Sequence, residues 1–226
     1  MKAKTAQHGN GPLRQLQLLV ARLGINISFI HPEKQAFEHI LRIRRETEMV
    51  LTLNEAAQIF NAVVNTTKIP GDIAEIGVYR GGSSKLICEA KGNRYFHLFD
   101  TFEGLPNTSS KDTQLFRKNQ YQGSLECVQK LLQGFPNLYF YKGLFPATAI
   151  SITQKMFSFV HMDVDLYEST KSCLDFFYPR MSRGGVIISH DYLGSIGVKT
   201  AFDEYFKDKP EPVLEVTDSQ CLIVKC

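Results

Sequence analysis

From Asp72 onward, short apolar runs alternate with stretches of helical character, and this alternation narrows the fold more than any other feature of the chain. The strand candidates are IAEIG, YFHLFD, LYFYKG, FSFVHMD and GGVIISHD. Helical candidates between them start near Gly81, Ser124, Pro146 and Tyr167. Strands joined by helical crossovers predict an α/β class with a parallel sheet and helices on both faces. A helix over AFDEYFKD is followed by EPVLEV and QCLIVKC with no helix between them. That ending predicts an antiparallel hairpin at the sheet edge.

Upstream the pattern changes. Residues 1–69 read as a helical N-terminal extension, and 70–226 as the α/β domain. Leu13, Leu16, Leu19, Val20 and Leu23 recur at the helical period, as do Phe37, Ile40, Leu41 and Ile43. A third helix is predicted from about Thr52, where TLNE makes a capping box, to Val64. KIPGD then breaks it. A chain of 226 residues can bury one good core with a small appended segment.

A net charge of +3 with one dense basic run, RIRRE (42–46), gives no basic stripe for nucleic acid, and that run reads as a solvated helix face. The five cysteines are scattered without a CxxC, which fits reduced intracellular thiols rather than a zinc site. LRQLQLLVARLGINISFI is interrupted by Arg14, Arg22 and Asn26, so no signal peptide is read there. No apolar run approaches the roughly 20 residues a membrane span needs. The expectation is a cytoplasmic protein with no nucleic-acid or membrane partner.

Three motifs carry the chemistry. EIGVYRGGSS (75–84) closes the first strand and opens a helix. Gly77 permits close backbone approach, while Gly81, Gly82, Ser83 and Ser84 leave amides open at a helix N-terminus. Such a turn serves packing as readily as binding, and it is not the GxGxxG of nicotinamide enzymes. LFDTFEG ends the second strand on Asp100, the position from which an acid accepts hydrogen bonds from a ribose diol; a turn-capping aspartate is the alternative. Turn and acid together point to an adenosine-containing cofactor. The absence of GxxxxGK[ST] argues against a P-loop.

VHMDVDLYEST (160–170) finishes a strand on Asp163 and Asp165, which in an extended chain project to the same side. The next strand ends on His190 and Asp191, so the four side chains are expected at one rim. Three carboxylates and an imidazole there repel without a cation, and oxygen-rich ligands suggest magnesium or manganese. The alternative is solvated carboxylates capping the following helices.

PGDIAEIGVYRGGSS, FDTFEGLP, DVDLYEST and GGVIISHDY, in that order, resemble the macrocin O-methyltransferase family, whose relatives include mycinamicin and novobiocin sugar O-methyltransferases. The resemblance covers about residues 70 to 226. It implies a class I methyltransferase Rossmann-like fold, a mostly parallel seven-stranded sheet with an antiparallel last strand behind the N-terminal helical extension. It also implies S-adenosylmethionine-dependent, metal-assisted methylation of a hydroxyl on a sugar or other polyhydroxylated natural-product-like acceptor. Glu75 and Gly77 would lie by the methionine portion, with Gly81, Ser83 and Phe102 also on the cofactor. Asp100 would hold the ribose, and Ser124 and Gly143 (of KGLFP) would border the adenine. Asp163, His190 and Asp191 would bind the divalent cation, and Asp165 would act as general base. The N-terminal helices and the loop 103–123 would form the lid, and the helices can pack between subunits in similar enzymes.

Two departures stand out. Relatives usually carry two aspartates where this chain has His190 and Asp191, and Tyr79 replaces a common tryptophan. Imidazole suits manganese, iron or zinc better than magnesium. Two rival readings remain: a DxD-type metal-dependent glycosyltransferase using a nucleotide sugar, and a degenerate family member that binds cofactor without turnover.

Overall fold

The computed structural model describes residues 34–226, so the segment holding Leu13 to Leu23 lies outside the described residues. Two helices, α1 (Lys34–Glu46) and α2 (Leu53–Asn65), precede the sheet. The predicted capping box opens α2: the Thr52 side chain accepts from the Glu55 N–H, and the Glu55 carboxylate accepts from the Thr52 N–H. These two bonds satisfy donors that the first helical turn leaves without partners. In α1, Ala36, Ile40 and Ile43 are buried, but Phe37 and Leu41 are each 38% exposed, so its buried stripe is narrower than the periodicity predicts. The arginines of RIRRE lie exposed on this helix.

The strands are β1 (Asp72–Ile76), β2 (Phe96–Asp100), β3 (Leu138–Lys142), β4 (Phe157–Met162), β5 (Met181–Ser189), β6 (Leu214–Glu215) and β7 (Cys221–Val224). Between them run α3 (Gly82–Ala90), α4 (Leu125–Leu131), α5 (Tyr167–Phe177) and α6 (Ile196–Phe206). They form a seven-stranded sheet in the order β3-β2-β1-β4-β5-β7-β6. β1 to β5 pair in parallel, and β7 runs antiparallel to both β5 and β6. The doubly wound α/β class and its antiparallel finish are as expected. Details differ. The stretch after Pro146 is a 3-10 turn (Ala147–Ile152), the last helix begins at Ile196, and EPVLEV contributes only Leu214–Glu215.

Side-chain alternation builds a core on each face. Ile73, Phe96, Leu98, Phe159 and Ile188 face the helices α1, α2 and α3, whose Ile40, Ile59, Val63 and Leu86 join them. Ala74, Phe99, Val160, Met162 and Ile187 point the other way, onto Leu174 and Phe177 of α5 and Phe202 of α6. All five cysteines are free, and among the described residues no helix is long and apolar enough to cross a membrane.

Strand register then decides what meets at the carboxyl edge. Ile76 pairs with both Phe99 and Met162, Met162 pairs with Ser189, and Asp100 pairs with Lys142. The residues that follow continue the ladder. Gly143 N–H donates to Asp100 O (2.9 Å) and Gly77 N–H to Phe99 O (2.9 Å). Asp163 N–H donates to Ile76 O (2.9 Å) and His190 N–H to Met162 O (2.9 Å). Lys142, Asp100, Gly77, Asp163 and His190 therefore stand in one lateral row across β3 to β5, with Gly143 one residue beyond it. The strand order reverses between β1 and β4, the place where open α/β sheets leave a crevice.

The row closes up at Gly77, whose φ is +88° and whose added Cβ would lie 1.8 Å from the Asp163 carbonyl oxygen. The close approach expected of this glycine is thus to the chain's own β4 end. Gly77→Ala adds a left-handed alanine and a backbone clash, together about 3 kcal/mol or more. Calorimetry should show its melting temperature lowered by roughly 6–12 °C at the usual 2–4 °C per kcal/mol for this size.

Candidate active site

A cavity of about 380 Å³ opens over this row. On one side it is lined by Gly77, Asp100 and Gly143, and on the other by Asp163, Asp165, His190 and Asp191. Its outer wall comes from the loop after Asp100, through Leu105, Phe116, Gln120 and Tyr121, together with Val50 from the α1–α2 connection. That loop is pinned in two places. Leu105 exchanges backbone bonds with Gln120 and Asn119 (2.8 and 2.9 Å). Asp112 accepts from the Tyr167 N–H at the start of α5 (2.7 Å).

Asp100 organises the turn after β1. Its Oδ2 accepts from the N–H groups of Val78 and Tyr79, both at 2.7 Å, and its Oδ1 from the Phe102 N–H at 2.6 Å. A carboxylate has about four acceptor positions, so roughly one is left for a ligand.

On the other side, Asp163, His190 and Asp191 offer ligand atoms that all lie within 4.8 Å of one another. His190 Nδ1 lies 2.9 Å from Asp191 Oδ2 and 3.4 Å from Asp163 Oδ1. Despite this proximity it is buried and makes no hydrogen bond. A buried ring nitrogen between two carboxylate oxygens, aligned with neither, fits a donor set shared by one cation. Asp163, His190 and Asp191 are thus brought together as the sequence suggests.

Asp165 is not part of that set. β4 stops at Met162, and Asp165 adopts φ +59°, so the two aspartates are not alternate residues of one extended strand. The left-handed turn buries its side chain to 8% exposure. Asp191 is also left-handed (φ +60°). Holding two such conformers at one rim costs free energy that the surrounding packing must supply.

The electrostatics follow from burial. Burial, then the charges of Asp163 and Asp191, raise the Asp165 carboxyl well above the usual carboxylate range. Burial pulls the His190 ring the other way, but Asp163, Asp191 and Glu55 outweigh it and raise its proton affinity. Burial also pushes Glu55 up, yet His190 and Ser219 bring it down to about 2. Glu55 is a site residue that the sequence presents only as half of a capping box. Its Oε2 lies 3.3 Å from His190 Nε2, a contact across the fold that no local pattern encodes. Tyr121, which lines the cavity from the loop, likewise carries no sequence signal.

Five of the residues expected at the cofactor lie outside the cavity wall: Glu75, Gly81, Ser83, Phe102 and Ser124. Glu75 is fully buried beneath it, where its carboxylate takes the Ser84 hydroxyl and faces His161 Nδ1 at 2.9 Å. Gly81 is the left-handed N-cap of α3, and Ser83 is buried in that helix. Phe102 is a core side chain, and Ser124 caps α4 through the Cys127 N–H.

The family model for Macrocin-O-methyltransferase (TylF) matches residues 51–223, and the chain belongs to this family. Demethyldecarbamoylnovobiocin O-methyltransferase of Streptomyces niveus is 31% identical over 153 residues, covering 61% of this chain and 58% of that protein. Mycinamicin III 3''-O-methyltransferase of Micromonospora griseorubida is 30% identical over 142 residues, 55% of this chain and 56% of that one. The chain thus spans less than three-fifths of the length of these curated relatives. Among solved structures, the O-methyltransferase NovP superposes with a TM-score of 0.64 at 26% identity, covering 74% of this chain and 78% of that one. The calicheamicin methyltransferase CalS11 reaches 0.62 at 17% identity, over 87% and 95% of the two chains, a likeness of fold.

Asp100→Asn presents an amide donor where backbone N–H groups converge. The loss of charge-assisted bonds is expected to cost about 1.5–3 kcal/mol, measured as a shift in the urea midpoint with the slope unchanged.

Proposed function

We propose that the chain is an S-adenosylmethionine-dependent O-methyltransferase acting on a hydroxyl of a sugar or other polyhydroxylated metabolite, with a divalent cation at Asp163, His190 and Asp191. The observation that carries this reading is the shared cavity at the carboxyl edge, lined by Gly77, Asp100 and Gly143, which suit an adenosyl group, and by the cation-type donor set. Family membership supports methyl transfer over the glycosyltransferase reading, which rested on the DxD spacing alone. The name of one relative specifies a sugar-bearing compound, a rhamnosyl-tetracenomycin, in keeping with this substrate class.

In this mechanism Asp100 uses its free acceptor position to hold a ribose hydroxyl, while its other bonds keep the turn rigid. Glu75, Gly81, Ser83, Phe102 and Ser124 support that pocket from behind or from its flanks. S-adenosylmethionine supplies an electrophilic sulfonium methyl. The cation supplies Lewis acidity, which lowers the proton affinity of the acceptor hydroxyl. Asp165 receives the hydroxyl proton as the oxygen–carbon bond forms and the sulfur–carbon bond breaks, its electron pair staying on sulfur. Burial makes the Asp165 carboxylate a stronger base than an exposed one. The loop 103–123 and Val50 exclude water and align the acceptor, which is where much of the acceleration arises. The small-molecule acceptor is the expected partner, and a cytoplasmic setting accords with the free thiols.

Calorimetry should show S-adenosylhomocysteine binding at one site per chain; no heat at ligand concentrations up to about 1 mM contradicts the reading. Asp165→Asn should keep that affinity and, with deoxysugar glycosides as acceptors, lose about 10²–10⁴-fold in kcat. Full turnover by this variant removes Asp165 from the base role.

A further inference from the structure

The imidazole of His190 is addressed from both sides. Toward the cavity, Nδ1 sits 2.9 Å from Asp191 Oδ2 and 3.4 Å from Asp163 Oδ1 without a hydrogen bond. Away from it, Nε2 faces Glu55 Oε2 at 3.3 Å. Glu55 is itself immobilised. The same Oε2 accepts from the Thr52 N–H (2.9 Å), and Oε1 accepts from the N–H (3.1 Å) and hydroxyl (2.6 Å) of Ser219. An ionised carboxylate only accepts, so with a cation at Nδ1 the ring hydrogen falls to the nitrogen facing Glu55. In a neutral ring that leaves the lone pair on Nδ1. A lone pair 2.9 Å from a carboxylate oxygen is repulsive unless a cation lies between them. Adjacent ligands of one ion with bonds of about 2.1 Å sit about 3 Å apart, close to the 2.9 Å to Asp191 and somewhat under the 3.4 Å to Asp163.

We infer that Glu55 fixes His190 in the tautomer whose Nδ1 is a metal ligand, and that this pair turns the Asp163–His190–Asp191 site toward a nitrogen-accepting first-row ion such as manganese, cobalt or zinc, at the expense of magnesium. The inference rests on the cation reading proposed above and adds a positioning residue, Glu55, which touches neither acceptor nor metal. Carboxylates that receive the second N–H of a ligating histidine orient the ring and raise its basicity. A carboxylate in place of His190 leaves an all-oxygen set that suits magnesium; the imidazole shifts the balance to softer ions.

The test uses the full chain with manganese(II) chloride alone, read by electron paramagnetic resonance, with magnesium chloride as competitor. Bound manganese should show nitrogen-14 modulation in the spin-echo spectrum, and magnesium should compete only at about tenfold or greater excess. His190→Asp should lose the nitrogen signal and lower the manganese-over-magnesium preference by about tenfold. Glu55→Gln should weaken manganese binding by about 10–100-fold and diminish the nitrogen coupling. The inference is overturned if no manganese binds, which would make the protonated ring the site's own cation. It is equally overturned if manganese binds without nitrogen modulation, or if magnesium competes at parity. The wild-type spectrum decides between these even where Glu55→Gln fails to fold. Titration of the same preparation with S-adenosylhomocysteine separates the two levels. Binding without manganese sinks the metal assignment alone, whereas a nitrogen-coupled manganese without cofactor binding sinks methyl transfer and leaves this inference standing.

Discussion

The backbone hydrogen bonds that step from strand to strand at the carboxyl edge are the constraint on which the rest depends. Each parallel ladder ends one residue before a functional position, and the next N–H reaches across to the neighbouring strand. Because side chains alternate along a strand, a slip of one residue would turn Asp163 or His190 to the opposite face. The apolar cores on both faces forbid that slip: Phe159 and Ile188 belong to one, Val160 and Ile187 to the other. Hydrophobic burial thus sets the register, and the register sets the site.

The arrangement holds like charges close together at low exposure, a condition that favours either proton uptake or a counter-cation. The chain meets it in part by conformation. Left-handed turns at Asp165 and Asp191 place these two carboxylates differently, one buried outside the donor set and one within it. Under the proposed mechanism, environment thus separates residues of one chemical type into a base and a ligand. A second buried acid–imidazole pair, Glu75 with His161, lies two residues below the row at registered positions of β1 and β4. It ties the first strand to the α3 N-terminus through Ser84.

Much of this was legible in the sequence because the signals are local. Alternation of strand and helix, the TLNE capping box and the polar residues ending FSFV and GVIIS each depend on neighbours in the chain. What escaped depends on distant contacts. Glu55 is 135 positions from His190 (190 minus 55), and its partner exists only once α2 has packed on the sheet. Glu75 and Gly77 look alike as members of one glycine-rich motif, yet Glu75 lies inside β1, short of the rim, where its carboxylate meets Ser84 and His161. The i, i+2 spacing of Asp163 and Asp165 suggested a shared side of a strand. The strand ends first, and a positive φ decides where Asp165 goes.

The central claim is that the ends of β4 and β5 share one cation beside an adenosyl pocket built on β1 and β2. Crystals grown with manganese and S-adenosylhomocysteine, measured at the manganese absorption edge, address it directly. The account predicts a single anomalous peak bonded to Asp163, Asp191 and His190 Nδ1, with the adenosyl ribose on Asp100. A map without that peak, or with the ribose bound away from Asp100, contradicts it.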